Sequence, residues 1–208
     1  MSIKEAYNEW ASQYDTNINR TRDLEAHSLR EILQNISFEN CLEIGCGTGK
    51  NTMWLAKHAK KVTAADFSES MLAKAKQKVT DAHVNFVHAD ITGEWPFEKN
   101  TYDLICFSLV LEHIEDLDHI FRQVANVITT GGNVYIGELH PFKQYSGSKA
   151  RFETEEGSKS PACFTHHLSD FIKAAKKFGF RLSDVNEYFD NETAVEIPRI
   201  FTLLFQKS

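Results

Sequence analysis

The chain has 208 residues, 42% of them hydrophobic and 25% charged, with a formal net charge of −6. Such a chain fills one core as a soluble globular domain, and its acidic balance argues against a surface dedicated to nucleic acid or anionic membrane. No apolar run approaches the roughly 20 residues of a membrane span, and the start, Met1-Ser2-Ile3-Lys4-Glu5-Ala6, has no apolar signal core, so a cytoplasmic protein is expected.

Two helices are predicted to lead, near residues 3–13 and 21–35. A strand over 40–44 enters the turn Gly45-Cys46-Gly47-Thr48-Gly49, and a helix over 48–58 leaves it. A second strand runs from Lys61 to Asp66, a helix from Ser68 to Val79 and a third strand from Val84 to His88. Tyr102 to Ser108 is almost wholly apolar, as expected for a strand buried on both faces. A helix over 117–128, the turn Thr130-Gly131-Gly132-Asn133 and a fifth strand over 134–138 follow. This β-α alternation implies an α/β fold with a parallel, doubly wound sheet. Residues 140–166 are polar and weakly periodic, as expected of a functional insertion. A helix over 168–178, ended by Gly179, precedes two last strands near 181–189 and 199–206. The chain divides into a helical cover (1–37), a core (38–139), the insertion (140–166) and closing elements (167–208).

Four cysteines show no C-x-x-C spacing. Cys41, Cys46 and Cys106 fall on or beside strands and Cys163 in a loop, which suits reduced, mostly buried thiols.

The glycine turn carries the most information. A strand, a glycine-rich turn and a helix aim backbone N–H groups at a ligand. The spacing is G-x-G-x-G, whereas a dinucleotide fingerprint needs G-x-G-x-x-G and would place its last glycine on Lys50. A P-loop would need a hydroxyl residue where Asn51 stands. A nucleotide-like ligand without a pyrophosphate is therefore expected, and a nicotinamide oxidoreductase is disfavoured. Ligands of such sheets bind beyond the strands' carboxyl ends. The second strand ends at Asp66, an acid suited to both hydroxyls of a ribose, followed by Phe67 as an apolar face for the base. The third ends in Ala89-Asp90-Ile91, where Asp90 suits an exocyclic amine and Ile91 an adenine ring. The fourth ends in Cys106-Phe107-Ser108-Leu109, with Glu112-His113 after it.

With these residues together, the chain resembles a class I S-adenosylmethionine-dependent methyltransferase of the type 11 methyltransferase-domain family. The resemblance rests on Leu42-Glu43-Ile44-Gly45-Cys46-Gly47-Thr48-Gly49, Asp66-Phe67-Ser68-Glu69-Ser70-Met71-Leu72, Ala89-Asp90-Ile91, Leu109-Val110-Leu111-Glu112-His113-Ile114 and Gly131-Gly132, over roughly residues 40–140. It implies a seven-stranded Rossmann-like sheet of order 3-2-1-4-5-7-6, with an antiparallel last strand near Arg199 to Gln206 and a helical cover over the cofactor. It implies that Glu43, Gly45, Gly47 and Gly49 frame the methionine part of S-adenosylmethionine, that Asp66 holds the ribose and that Asp90 holds the adenine amine, with Cys46 and Phe107 as further cofactor-binding residues. Tyr14 is expected beside the sulfonium, whose charge favours an aromatic face, and Arg20 or Arg22 at the methionine carboxylate.

Methyl transfer from a sulfonium is an in-line displacement for which positioning supplies much of the catalysis. Where a general base is needed, His113, His140, His166 and His167 are candidates, with Tyr145 as a hydrogen-bond donor. Lys143, Lys149 and Arg151 in the insertion are candidate contacts for an anionic acceptor. The pair Cys163-x-x-His166 with His140 lacks a second ligand pair, so no metal is expected. Asn/Asp-Pro-Pro-Tyr/Phe, typical of adenine or glutamine N-methylation, is absent after the fourth strand, which favours a small-molecule acceptor over nucleic acid. A cofactor-binding sensor or assembly protein without methyl transfer is the alternative.

Overall fold

Five apolar runs lie side by side as parallel strands: β1 (Asn40–Ile44), β2 (Lys61–Asp66), β3 (Val84–His88), β4 (Tyr102–Ser108) and β5 (Ile128–Leu139). The computed structural model describes residues 3–11, 13–16, 19–99, 101–148, 152–154, 157–159, 162–190 and 197–208. Two further strands, β8 (Phe180–Tyr188) and β9 (Ile200–Lys207), complete a seven-stranded sheet of order β3-β2-β1-β4-β5-β9-β8, with β9 antiparallel to both neighbours. This is the expected architecture.

Side chains alternate across the sheet with a period of two, and each face meets its own helices. Leu42, Ile44, Ile105, Phe107, Val134 and Ile136 join one apolar cluster with Phe121 of α5 (Leu117–Val127) and Phe171 of α7 (Leu168–Lys177). Cys41, Leu104, Cys106 and Tyr135 face the other way, against Leu29 and Leu33 of α2 (Arg20–Leu33). Phe107 and Phe121 are each 1% exposed, so truncating either to alanine is expected to cost about 3–5 kcal/mol.

Helix starts follow capping chemistry. Asn19 accepts the Arg22 amide at 3.1 Å to open α2, and Asp116 accepts the His119 amide at 2.9 Å to open α5. Ser68 accepts the Met71 amide at 3.2 Å to open α4 (Glu69–Lys78). The leading helix α1 (Ile3–Trp10) packs near α4 and covers the carboxyl ends of the strands.

Three boundaries differ from the sequence expectation. The helix after the glycine turn is short, α3 (Thr52–Leu55), because the amides of Lys57 and His58 bond three residues back rather than four and tighten the chain after Ala56. Strand β5 starts at Ile128, which pairs with Tyr102 ahead of a register shift, and Gly131 accommodates the bend with φ of 80°. The polar insertion contains a one-turn helix α6 (Pro141–Tyr145) and a hairpin of β6 (Phe152–Thr154) and β7 (Gly157–Lys159). Cys41, Cys46, Cys106 and Cys163 are all free thiols. Among the described residues, no helix is long and apolar enough to cross a membrane.

Candidate functional site

The glycine turn joins β1 to its neighbour. The amides of Gly45 and Cys46 both donate to the Ala65 carbonyl of β2, at 2.8 and 3.0 Å. Asp66, one residue further on, accepts the Gly47 amide on Oδ2 and the Ser68 amide on Oδ1, each at 2.8 Å. Burial raises the Asp66 carboxyl above its usual range, and these amides oppose the rise. Each oxygen retains a lone pair for a further donor. Gly45 has φ of 73°, and a Cβ there would run into Val110 Cγ2. Gly47, at φ of 53°, is open on that side: a Cβ would meet only Tyr14 Cε1, at 3.9 Å. Backbone and ligand can therefore approach closely at Gly47.

This turn forms one wall of a cavity of about 290 Å³ at the carboxyl ends of β1, β2 and β4. Asp66, Phe67, Asp90 and Ile91 line it, with Tyr7 of α1 overhead, its ring centroid 5.8 Å from that of Phe67. Asp90 Oδ1 accepts both the amide and the hydroxyl of Thr92, at 2.9 and 2.7 Å, which fixes the carboxylate at the rim. His113 stands at the inner end. Its Nδ1 lies 2.9 Å from the Ala162 carbonyl, which only accepts, so Nδ1 carries the proton. Nε2 shares a hydrogen bond of 2.8 Å with the Tyr7 hydroxyl.

A second cavity of about 380 Å³ adjoins the first and shares Tyr7, Tyr14 and Leu109 with it. Its charged lining comes from Arg22, Glu112 and Arg199. The Arg22 guanidinium lies 4.0 Å from the Tyr14 ring centroid and donates to the Tyr14 carbonyl. Burial pushes the Tyr14 hydroxyl up to about 12, against the opposing charge of Arg22. Arg199 donates to Asp190 and, at 3.0 Å, to Thr21, while Lys143 reaches Asp190 at 3.3 Å. Arg199 beside it holds the Asp190 carboxyl below its ordinary range.

Leu109 sits where the two cavities meet, and its φ of 57° makes it left-handed without being glycine. That conformation costs about 1–2 kcal/mol and needs support. The Leu109 amide donates to Gly137 at 2.8 Å, and the Val110 and Leu111 amides donate to Glu138 Oε1 at 2.9 and 2.7 Å. Burial pushes the Glu138 carboxyl up to about 8.

The first cavity thus gathers Tyr14, Gly45, Gly47, Asp66, Phe67, Asp90, Ile91 and His113 from the sequence-derived set. Other members of that set lie elsewhere. Arg20 is exposed and lines neither cavity, whereas Arg22 lines the second. Glu43 is 3% exposed behind the turn, where its Oε2 accepts the Thr52 hydroxyl at 2.5 Å. Burial pushes that carboxyl up to about 8. Cys46 is buried, Gly49 lies against Ala75 of α4 and Val79 just after it, and Phe107 belongs to the core. His140 is turned away from both cavities: its Nδ1 accepts the Phe142 amide at 3.2 Å to cap α6, and its Nε2 meets Glu187 at 3.0 Å. Tyr145 is 60% exposed, with its hydroxyl 3.0 Å from His167 Nε2. His166 Nε2 donates to the Ile114 carbonyl at 2.7 Å, and His167 precedes α7 as its cap residue. Lys143 is held by Asp190 rather than facing a cavity. Lys149 and Arg151 lie outside the described residues. Among the described residues, no three His, Cys, Asp or Glu side chains are grouped to hold a metal ion. Sequence reasoning missed Leu109 and Arg199 and treated Tyr7 only as part of a cover. The aromatic Tyr7-x-x-Trp10-x-x-x-Tyr14 spacing was the available signal for the last.

Residues 42–136 match the family model described as a methyltransferase domain. An uncharacterized methyltransferase of Emericella nidulans is 26% identical, across 88% of this chain and 77% of its own length. A demethylmenaquinone methyltransferase of Chlamydia pneumoniae is 31% identical, across 68% of this chain and 63% of its own length. The chain spans less than two thirds of the length of this and other demethylmenaquinone methyltransferases that it matches. A putative S-adenosylmethionine-dependent methyltransferase from Listeria monocytogenes, known from its crystal structure, is 25% identical with a TM-score of 0.73, covering 89% of this chain and 99% of that one.

Proposed function

Since the chain belongs to the class I S-adenosylmethionine-dependent methyltransferases, we propose that it methylates a small-molecule acceptor held in the second cavity. The observation that carries this reading is the pair of adjoining cavities with Tyr7, Tyr14 and Leu109 in common. One cavity suits an adenosine and the other an acceptor, and a methyl group would pass at their junction.

The residues of the first cavity fit the cofactor. Asp66 has acceptor capacity left for the ribose hydroxyls after binding the Gly47 and Ser68 amides. Asp90 offers its second oxygen to the adenine amine, and Phe67 and Ile91 supply apolar faces for the ring. The open side of Gly47 leaves room for the methionine chain, and Arg22, across Tyr14 in the lining of the second cavity, would pair the methionine carboxylate at the junction. When bound, the cofactor supplies an activated methyl group on a positively charged sulfur. Tyr7 and Tyr14 then exclude water and present aromatic faces near that charge. Leu109, fixed by its strained backbone and the Glu138 bonds, keeps the passage between the cavities in one shape. These roles amount to orientation and desolvation, which a displacement at a charged centre rewards.

A volume of about 380 Å³ is the size of a small-molecule site, and demethylmenaquinone methyltransferases among the relatives are consistent with that class. The test uses methyl-deuterated S-adenosylmethionine and the small-molecule fraction of a cell extract, read by mass spectrometry. A labelled product below about 1 kDa is expected. Label confined to protein or nucleic acid would refute the acceptor class, and cofactor binding with no label anywhere would favour a sensor or assembly protein.

A further inference from the structure

We infer that the small void between Glu112, Glu138 and Gln144 is a binding site for one water molecule and one proton, and that the two together fasten the one-turn helix α6 to the strand ends beside the second cavity. Glu112 belongs to the 3₁₀ turn Leu111–His113 that follows β4, Glu138 to β5 and Gln144 to α6. Glu112 is 7% and Glu138 2% exposed. Glu112 Oε2, Glu138 Oε2 and Gln144 Oε1 are buried, and none has a hydrogen-bond partner among the described residues. All three residues line the same void.

The rest of that lining offers these oxygens no donor. Leu139, Phe164, Phe171 and Phe201 present apolar side chains, and His166 directs its Nε2 hydrogen to the Ile114 carbonyl at 2.7 Å. Buried acceptors without a donor are unfavourable, so three in one void point to an occupant that carries hydrogens. The void measures about 10 Å³, close to the least volume that admits a water. A hard divalent cation wants six or more oxygens, and this space has no room for the waters it would bring. One water has two hydrogens for three acceptors. A proton on one carboxyl completes the set. Glu138 Oε2–H donates to the water, and the water donates to Glu112 Oε2 and Gln144 Oε1. Three hydrogen bonds are usual for a buried water. Glu138 Oε1 keeps the Val110 and Leu111 amides, at 2.9 and 2.7 Å.

The charges nearby favour Glu138 as the protonated partner. Around the two carboxyls stand His113 on the same turn as Glu112, Tyr7 from α1, His166 ahead of α7, and Arg22 and Arg199 in the second cavity. On α6, Lys143 is held by Asp190, and ahead of it His140 meets Glu187. Burial raises both carboxyls. His113 and the Gln144 side chain oppose the rise at Glu112, whereas at Glu138 the Glu112 charge adds to it and carries the group up to about 8 against the pull of its amides. The joint links two parts of the site. Ser146, Gly147 and Ser148, directly after α6, line the second cavity, and the amides on Glu138 Oε1 follow Leu109 at the junction. When α6 lifts away, Glu138 meets solvent and returns towards its ordinary value of 4.5, so opening releases a proton at any pH between that value and about 8.

Two measurements test this, and neither uses a methyl acceptor, so the outcome of a methyltransferase assay does not bear on them. The first is a crystal structure of the native protein at neutral pH and about 1.2 Å resolution. A water at about 2.6–3.2 Å from all three oxygens is expected. No density there, density out of reach of any one of the three, or a metal ion at about 2.0–2.5 Å would overturn the inference. The second is amide exchange over residues 142–148 against pH, corrected for the intrinsic rate, in the native protein and in Glu138→Gln. Glutamine keeps an acceptor for the two amides and offers an N–H in place of the acid's O–H. Native protection is expected to fall about tenfold or more from about pH 5 to about pH 8 and then level off, while Glu138→Gln changes less than about threefold. A fall of equal size in both proteins, or none in the native one, would overturn the inference.

Discussion

Asp66 Oδ2 accepts the Gly47 amide at 2.8 Å, so the acid at the end of β2 holds the glycine turn at the end of β1 in place. One side chain thus shapes the cradle and faces the cavity. Asp66→Ala is expected to lose both functions. Its affinity for S-adenosylhomocysteine should fall by roughly 30- to 150-fold, corresponding to about 2–3 kcal/mol, with some loss of folding stability as well. Calorimetry on the folded variant checks this, and unchanged affinity would assign Asp66 to the turn alone.

Gly45→Ala and Gly131→Ala separate crowding from backbone strain. Both glycines are left-handed, at φ of 73° and 80°, but a Cβ at Gly45 strikes Val110 whereas nothing lies within 4 Å of one at Gly131. The Gly131 variant should lose about 1–2 kcal/mol and the Gly45 variant about 2–4 kcal/mol in urea unfolding. Equal losses would mean that Val110 moves aside freely.

Much of this arrangement was legible in the sequence. The apolar runs of β1, β2 and β4, the G-x-G-x-G turn and the acids at Asp66 and Asp90 are local signals, and the parallel sheet brings them to one end. Leu109 was not legible, because its left-handed backbone is imposed by Gly137 and Glu138 rather than announced by a glycine. His140 was misread for a similar reason. Its position after β5 suggested the site, but its ring is spent on the Phe142 amide and Glu187. The choice of Arg22 over Arg20 depends on the rotation of α2 against Tyr14, which helical periodicity alone does not set.

Stability should decline with rising pH through buried carboxyls. Burial pushes Glu25 up to about 7 and Glu43 up to about 8, from an ordinary value of 4.5. Because the folded-state values are raised, their stabilisation is complete below about pH 4.5 and is lost as pH rises towards 8. Urea unfolding at pH 5 and pH 8 should show a loss on the order of a few kcal/mol, reduced in Glu25→Gln. A variant with the native pH dependence would remove Glu25 from this account.

The Tyr7–His113 bond should hold α1 over the cavity. His113→Ala leaves the partly buried Tyr7 hydroxyl and the Ala162 carbonyl without their ring partner. Amide exchange across Ile3–Trp10 should quicken, and S-adenosylhomocysteine affinity should fall about three- to tenfold, near 1 kcal/mol. Unaltered exchange in α1 would show that its other contacts suffice.

Calorimetric titration of the native protein with S-adenosylmethionine, S-adenosylhomocysteine and NAD tests the central claim most directly, since the G-x-G-x-G turn and the Asp66–Asp90 pair are read as a cradle for an adenosine without a pyrophosphate. One-to-one binding of S-adenosylmethionine or S-adenosylhomocysteine, with a dissociation constant on the order of micromolar and no comparable heat from NAD, is the predicted result. Tight NAD binding with no binding of either sulfur ligand would contradict it.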